Sequence, residues 1–401
     1  MAHNVEQEMF TRTHRFRLST NRRDYKAFDE LIRQATSLYN RVNYLFRHHY
    51  TEHKESLTVE EIFSRVEKHS LFTRLPRSVA IDVVLQFVGV WNAHMGKKSF
   101  KKHFPKFKHG DETFTVKIDP KNLRMSKMQL RFYKIEGVSE VYPLPSTFVV
   151  RYKDLDHVIV KKRADGIYLS VVYEVPQLDD ELFKPNPDMM MGIDLGIVRF
   201  ATIALRNGYD STTIDGRQIA NYNAMYNRKL LAMDRKEPDG FSRVKRELAA
   251  RRERKFRNFF NKVLDVIEGL VMAYDVGVIA IGDMSQHTSV LYSTFVPIPF
   301  NFFIQRLKER MELRHVKVVV VDERGTSIAS FFDDDDPTLV GEGIVEARGI
   351  RLQRGMYRSD SRRMVHADLN AAYNMMKKHN PQFCGGWRGF ESIPRKINLW
   401  Q

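Results

Sequence analysis

The run MGIDLGIVRFATIAL, Met191 to Leu205, is apolar on both sides of a glycine turn and carries a single acid, Asp194. Such a run, interrupted only by a turn residue, predicts a buried strand, a tight turn and a second strand. A carboxylate in an apolar strand is costly to bury unless it meets a cation. Taken alone, Asp194 reads most simply as an acid that caps the turn.

Two further stretches change its meaning. HADLNAAYNMMKK (His366 to Lys378) places Asp368 at the start of a helix whose Ala371, Ala372 and Met375 are suited to close packing on a sheet. By itself Asp368 is an ordinary first-turn acid. Between the two acids, VIAIGDMSQ (Val278 to Gln286) is an apolar strand that stops at Gly282-Asp283.

The rest of the chain bounds the partner. Lys and Arg number 65 against 49 Asp and Glu, a net charge of +16, which favours a polyanion such as nucleic acid. The N-terminus lacks a signal-peptide segment, and no apolar run approaches the ~20 residues that span a bilayer, so a cytoplasmic protein without a membrane partner is expected. Cys384 is the only cysteine, which excludes an intramolecular disulfide and a cysteine-based zinc site.

Upstream, TRTHRFRLS (Thr11 to Ser19) reads as a strand with a basic face, and 22–95 as helices with apolar residues at three- and four-residue spacing. KKSFKKHFPKFKHG (Lys97 to Gly110) interleaves Lys101, Lys102 and Lys106 with Phe100, Phe104 and Phe107. Its lysines suit phosphates, and its aromatics suit either bases or the protein body. Short alternating segments between Phe114 and Val175, among them TFVVRYK, HVIVKKR and GIYLSVVYEV, predict antiparallel strands, with a turn at Arg163 to Gly166. KPNPDMM (Lys184 to Met190) reads as a linker. Gln218 to Tyr274 is helical, broken near Pro238, and its basic cluster of Arg251, Arg252, Arg254, Lys255 and Arg257 suits a nucleic-acid groove.

The order of an apolar strand ending in GIDLG, a basic helical region, a strand ending near an acid, and DxNAAxN resembles the RuvC-type nucleases of RNase H-like fold. Such a site gathers distant acids around two divalent ions. The chain is similar to TnpB, the RNA-guided nuclease of insertion sequences, and through it to the compact type V CRISPR effectors. The motifs that carry the resemblance are GIDLGIVRFAT, VDERGTSIASFFDDDDP, RLQRGMYRS and HADLNAAYNMMKK.

The resemblance implies an α+β architecture: an RNase H-like (RuvC) nuclease domain plus an N-terminal β-barrel carrying a helical insert. The barrel is expected over 1–20 and 111–185, the helical recognition insert over 21–110, and the nuclease domain over 186–323 and 364–380. A nucleic-acid-binding insert is expected over 324–363 and a C-terminal tail over 381–401. The implied function is RNA-guided DNA endonuclease, with guide RNA and double-stranded DNA as partners and Mg²⁺ or Mn²⁺ as cofactor. In this reading Arg354 and Arg358, within the arginine-rich run from Arg351 to Arg363, touch nucleic-acid backbone.

Two departures from the family pattern stand out. The cysteines of its zinc module are missing, so the insert is expected to hold together without zinc. A glutamate is also usual where Gly282 stands. Asp283 is adjacent, but neighbouring side chains on a strand point to opposite faces. Glu323, at the end of VKVVVVDE, matches an acid thought to take over in relatives that have lost that glutamate. The implied catalytic and metal-holding set is therefore Asp194, Glu323 and Asp368, with Asp283 as the alternative acid. The histidines His48, His49 and His366 are given no metal role. Two other functions fit the same residues, a nuclease-dead RNA-guided DNA-binding repressor and an accessory protein of DNA transposition.

Overall fold

The computed structural model describes residues 9–18, 24–95, 104–108, 114–126, 129–133, 135–138, 142–143, 154–163, 165–176, 183–236, 243–284, 297–353, 355–383 and 390–399. The chain divides into two compact units, Met1–Gln177 and Leu178–Gln401.

The first unit runs β1 (Met9–Leu18), α1 (Tyr25–His53), α2 (Val59–Val66), α3 (Ser70–Thr73), α4 (Arg77–Met95), β2 (Val116–Ile118), β3 (Leu123–Ser126), β4 (Gln129–Phe132), β5 (Tyr142–Pro143), β6 (Leu155–Arg163) and β7 (Gly166–Pro176). β1 pairs antiparallel with β7 along its whole length, from Met9 opposite Pro176 to Leu18 opposite Ile167. The sheet continues in the order β1-β7-β6-β2, and β3-β4-β5 make a separate three-stranded sheet. Among the described residues these strands form open sheets. The TFVVRYK segment, expected as a further strand, lies outside them.

The helices between β1 and β2 share one core with the strands. Phe28, Leu31, Ile32, Ala35, Leu38 and Tyr39, the apolar stripe of α1, are all buried. Phe28 meets Phe132 and Tyr142 edge-on at 5.1 and 6.3 Å. α4 is long and apolar enough to match a membrane span by length and composition, contrary to expectation. Its Val79, Ala80, Val83, Val84, Phe87 and Trp91 are buried in this core. The aromatics after α4 also pack inward: Phe104 stacks on Trp91 at 5.7 Å, and the Arg47 guanidinium lies 4.3 Å over Phe107. Packing, not base stacking, occupies both rings. Lys106 is exposed, while Phe100, Lys101 and Lys102 fall outside the described residues.

The second unit runs β8 (Asn186–Leu195), β9 (Arg199–Leu205), β10 (Thr212–Asp215), α5 (Arg217–Lys236), α6 (Arg243–Ala273), β11 (Val276–Gly282), α7 (Phe300–Glu312), β12 (Lys317–Val321), α8 (Pro337–Gly341), β13 (Ile350–Gln353), β14 (Met356–Arg358), β15 (Met364–His366), α9 (Ala367–His379) and β16 (Arg395–Ile397). Its six-stranded sheet has the order β12-β11-β8-β9-β10-β16. β11 is parallel to both β8 and β12, and β9 is antiparallel to β8. Helices cover both faces, which is why the central strands read as unbroken apolar runs. Met191, Ile193 and Leu195 join a core with Phe256, Phe259 and Phe260 of α6 and Phe303 of α7. Met190 and Ala280 join the opposite core, with Ala372, Met375 and Met376 of α9.

Two expectations are corrected here. Asn186 to Met190 are not a linker: β8 begins at Asn186, and Met190 pairs with Val278. The C-terminal segment is not a free tail either, since β16 adds to the sheet edge with Thr212 opposite Arg395. A three-residue strand rich in charge carries too little periodicity to be recognised without its partner.

The insert after β12 is built without cysteine. Phe331 is buried in an aromatic cluster, stacked on Tyr373 at 4.9 Å and 5.1 Å from Phe383. The acidic run Asp333 to Asp336 is a set of distinct fastenings. Asp335 is buried and accepts from the backbone of Ser330 and Arg348 (2.8 and 3.0 Å) and from Arg348 Nε (2.8 Å). Asp333 accepts from the Ser330 hydroxyl and from the backbone of Asp360 and Ser361. Asp336 caps α8, and Lys377 of α9 is ion-paired to Asp334.

Candidate functional site: an acidic cavity at the carboxyl ends of the sheet

Asp194 is the penultimate residue of β8, two residues beyond Gly192 and therefore on the same face. α9 crosses that face so closely that a Cβ on Gly192 would lie 2.8 Å from the Ala372 carbonyl carbon, and nearer still to its oxygen. Two residues along a strand advance ~6.6 Å and four along a helix ~6 Å. The Gly192–Ala372 contact thus brings Asp368, one turn before Ala372, alongside Asp194. This is the structural use of the GxD and DxNAA spacings.

Gly282 belongs to the same place. β11 and β8 pair through Ile281 and Ile193, so the next residues along, Gly282 and Asp194, lie on neighbouring strands at one level. Glu323 follows β12 by two residues. A Cβ built on Gly282 would fall 2.8 Å from Glu323 Cγ and Cδ, and closer still to Oε1. The Glu323 carboxylate thus fills the space a side chain at 282 would take.

The loop carrying Glu323 is clamped to the helix carrying Asp368. Lys378 donates to the carbonyls of Asp322 and Arg324 (2.9 and 2.6 Å). Asn374 Nδ2 donates to the carbonyls of Thr326 and Ala329 (2.9 and 2.7 Å). Asn370 accepts from the Phe331 backbone and donates to the Ala329 carbonyl. Both asparagines are fully buried. Their i, i+4 spacing in DLNAAYN was the available signal, but their task was not legible from it.

The electrostatics are those of crowded acids. Burial pushes the Asp194 carboxyl well above its ordinary range, Asp368 and then Glu323 push it further, and Arg351 opposes them. Asp368 itself is ion-paired, to Arg199 at 3.4 Å and Arg351 at 4.0 Å. Arg199 was missed in the sequence, and the cation that GIDLGIVRF supplies meets Asp368, not Asp194. His366 is buried, its Nδ1 makes no hydrogen bond, and burial lowers its basicity against the pull of Asp368. His48 and His49 lie on α1, beside Glu52 and stacked on His53.

These acids share a cavity of about 1190 Å³, larger than the ~300–1,000 Å³ of a small-molecule pocket. Asp283 and Asp322 line it too. Among the described residues no three His, Cys, Asp or Glu side chains already form a metal cage. The donor chemistry nevertheless suits a hard divalent cation: carboxylate oxygens gathered around an acid that burial and their repulsion hold above its ordinary range.

The basic residues expected to meet nucleic acid divide. Arg251 and Arg358 are exposed. Arg252 is engaged within the protein: it donates to Asn223 Oδ1 and the Pro297 carbonyl (2.7 and 2.5 Å) and lies over Tyr226 and Phe256. Arg254 and Lys255 are half-buried on α6, and Arg257 pairs with Glu253. Arg354 lies outside the described residues.

No protein-family model and no curated protein matches the chain. Among solved structures it is similar to one titled as a Cas12f1-sgRNA-target DNA complex, at 14% identity and a TM-score of 0.48, covering 88% of this chain and 82% of that one. A CRISPR-Cas12f ternary complex matches at 14% identity and a TM-score of 0.34, covering 88% and 81%. An AacC2c1-sgRNA binary complex matches at 12% identity and a TM-score of 0.31, covering 90% and 66%.

Proposed function

We propose that the chain is an RNA-guided DNA endonuclease of the TnpB kind, with Asp194, Glu323 and Asp368 as its catalytic acids. One observation carries the reading: the Glu323 carboxylate stands in the space vacated at Gly282, on the neighbouring strand to Asp194. In this reading the loop after β12 supplies the acid missing from β11. Asp283 remains the second choice for that role.

Asp194, Glu323 and Asp368 would hold Mg²⁺ or Mn²⁺, which when bound would supply water activation and charge stabilisation for phosphodiester hydrolysis. The chain's own contribution is to hold the acids. The sheet sets Asp194, α9 sets Asp368, and the Asn370, Asn374 and Lys378 clamp fixes the Glu323 loop between them. Arg351, now paired with Asp368, lines the cavity where an entering phosphate meets positive charge. Guide RNA and duplex DNA are the partners in this reading. In this reading the first unit grips the guide and reads a short duplex motif, while base pairing reads the rest. The net charge of +16 supports a polyanionic partner.

The test is cleavage of guide-matched DNA by the protein purified with its RNA, with and without Mg²⁺. Metal-dependent cutting at the matched site is expected. Tight guided binding with no cutting under any divalent metal would make the protein a repressor, and equal cutting without RNA would end the guided reading.

A further inference from the structure

Asp368 meets two arginines that are held in different ways. Arg199 Nη1 donates to Asp368 Oδ2 at 3.4 Å. Its guanidinium packs on the β13–β14 turn, where a Cβ on Gly355, whose φ is +103°, would lie 3.2 Å from Arg199 Nη2. The Gly355 carbonyl in turn accepts from Ala367 N, at the start of α9, at 3.0 Å. Arg199, the turn and the helix start are thus one fixed assembly. Arg351, on β13, is held loosely. It lines the cavity with Asp368, as Arg199 does not, and faces the other oxygen, Oδ1, at 4.0 Å, beyond hydrogen-bonding reach. Its side chain is 46% exposed. Its charge reaches Asp194 as well, opposing the rise that burial, Asp368 and Glu323 impose on that carboxyl.

We propose that Arg351 is a displaceable counter-cation: it offsets the charge of the acid cluster while the centre is metal-free and gives way when a divalent ion is bound. The inference rests on the reading of Asp194, Glu323 and Asp368 as a metal centre, and it adds what controls the occupancy of that centre. A guanidinium and a hard cation compete for the same carboxylate charge, and the carboxylates gain more from the divalent ion. Arg199 keeps its hold on Oδ2, so Asp368 stays in place when Arg351 withdraws from Oδ1. Arg351 thereby sets the metal concentration at which the centre fills, and its withdrawn guanidinium is available to a phosphate. The same small sheet holds a control. Arg358 pairs with Ile350, the neighbour of Arg351, so its side chain lies on the opposite face.

The test titrates Mn²⁺ into the full-length protein and reads bound metal by electron paramagnetic resonance, with Asp368→Asn measuring binding elsewhere on the chain. Arg351→Gln is expected to bind Mn²⁺ about three- to tenfold more tightly than wild type. Arg358→Gln, which changes the net charge equally, is expected to bind as wild type does. A tightening shared by both variants would be an effect of net charge and overturns the proposal, as does unchanged or weaker binding in Arg351→Gln. Thermal melts guard against a folding defect. Any loss of Tm in metal-free Arg351→Gln should vanish at saturating Mn²⁺, and a deficit that persists there is a packing defect that overturns the proposal. Failure of the metal-centre reading would look different: wild type and Arg351→Gln would both bind no more Mn²⁺ than Asp368→Asn, which ends both readings together.

Discussion

Gly282 and Glu323 exclude each other's alternatives: the glutamate carboxylate occupies the volume into which any side chain at 282 would grow. The overlap is with the end of a flexible side chain, so relief is cheap in stability. Gly282→Ala should therefore cost under ~1 kcal/mol yet displace the carboxylate, cutting cleavage at least ~10-fold. Thermal melts and single-turnover rates check the two halves separately. A Tm loss in proportion to the rate loss would contradict the argument.

Exchange of the acid between strands follows from the same overlap. Glu323→Gln should lower cleavage by ~10²-fold or more while target binding persists. Gly282→Glu combined with Glu323→Gln would leave the glutamine in the way, so the informative pair is Gly282→Glu with Glu323→Ala. Partial recovery of cleavage over Glu323→Ala alone is expected. Normal cleavage by Glu323→Gln, with loss in Asp283→Asn, would move the role to Asp283.

Asp194 sets a pH dependence whose sign can be worked out. Its carboxyl titrates above the ordinary value of 3.8 in the folded protein. The stability this contributes is complete below that value and is lost as pH rises through the raised one. Metal-free wild type should therefore lose Tm, relative to Asp194→Asn, as pH rises above the ordinary carboxylate value of 3.8. Mg²⁺ should remove the difference by favouring the ionised acid. Parallel Tm curves for both proteins at every pH would show that the Asp194 carboxyl is not raised.

Asn374 should matter for stability more than for chemistry. Asn374→Ala removes the donor to the Thr326 carbonyl and leaves the Ala329 carbonyl with its bond from Asn370, and should cost about 1–3 kcal/mol. Asp335→Ala, which releases Ser330 and Arg348, should cost about 2–3 kcal/mol. A chelator should leave the Tm of the metal-free protein unmoved. Chemical denaturation measures all three.

Arg251 and Arg252, neighbours on α6, should behave in opposite ways. Arg252→Ala removes two hydrogen bonds and two ring contacts, so about 1–3 kcal/mol of stability should go. Arg251→Ala should leave Tm alone and weaken nucleic-acid binding, lowering the salt slope by about one if it meets a phosphate. An unchanged slope would remove Arg251 from the interface.

The strands around Asp194, the helix that starts at Asp368 and the stripe on α1 were legible because periodicity and apolar runs are local. The aspartates after Phe331 looked like a plain acidic run because each finds its partner across a fold the sequence does not display. Arg252 could not be told from Arg251, since a guanidinium over a ring and one in water have the same neighbours in the chain. β16 was invisible for the same reason, as a short strand is defined by the edge it joins. The sequence by itself determined which acids were available and that one was missing at Gly282. Only the tertiary structure decided that the Glu323 carboxylate fills the space beside Gly282, because that depends on the β11–β12 register and on whether two side chains compete for one volume.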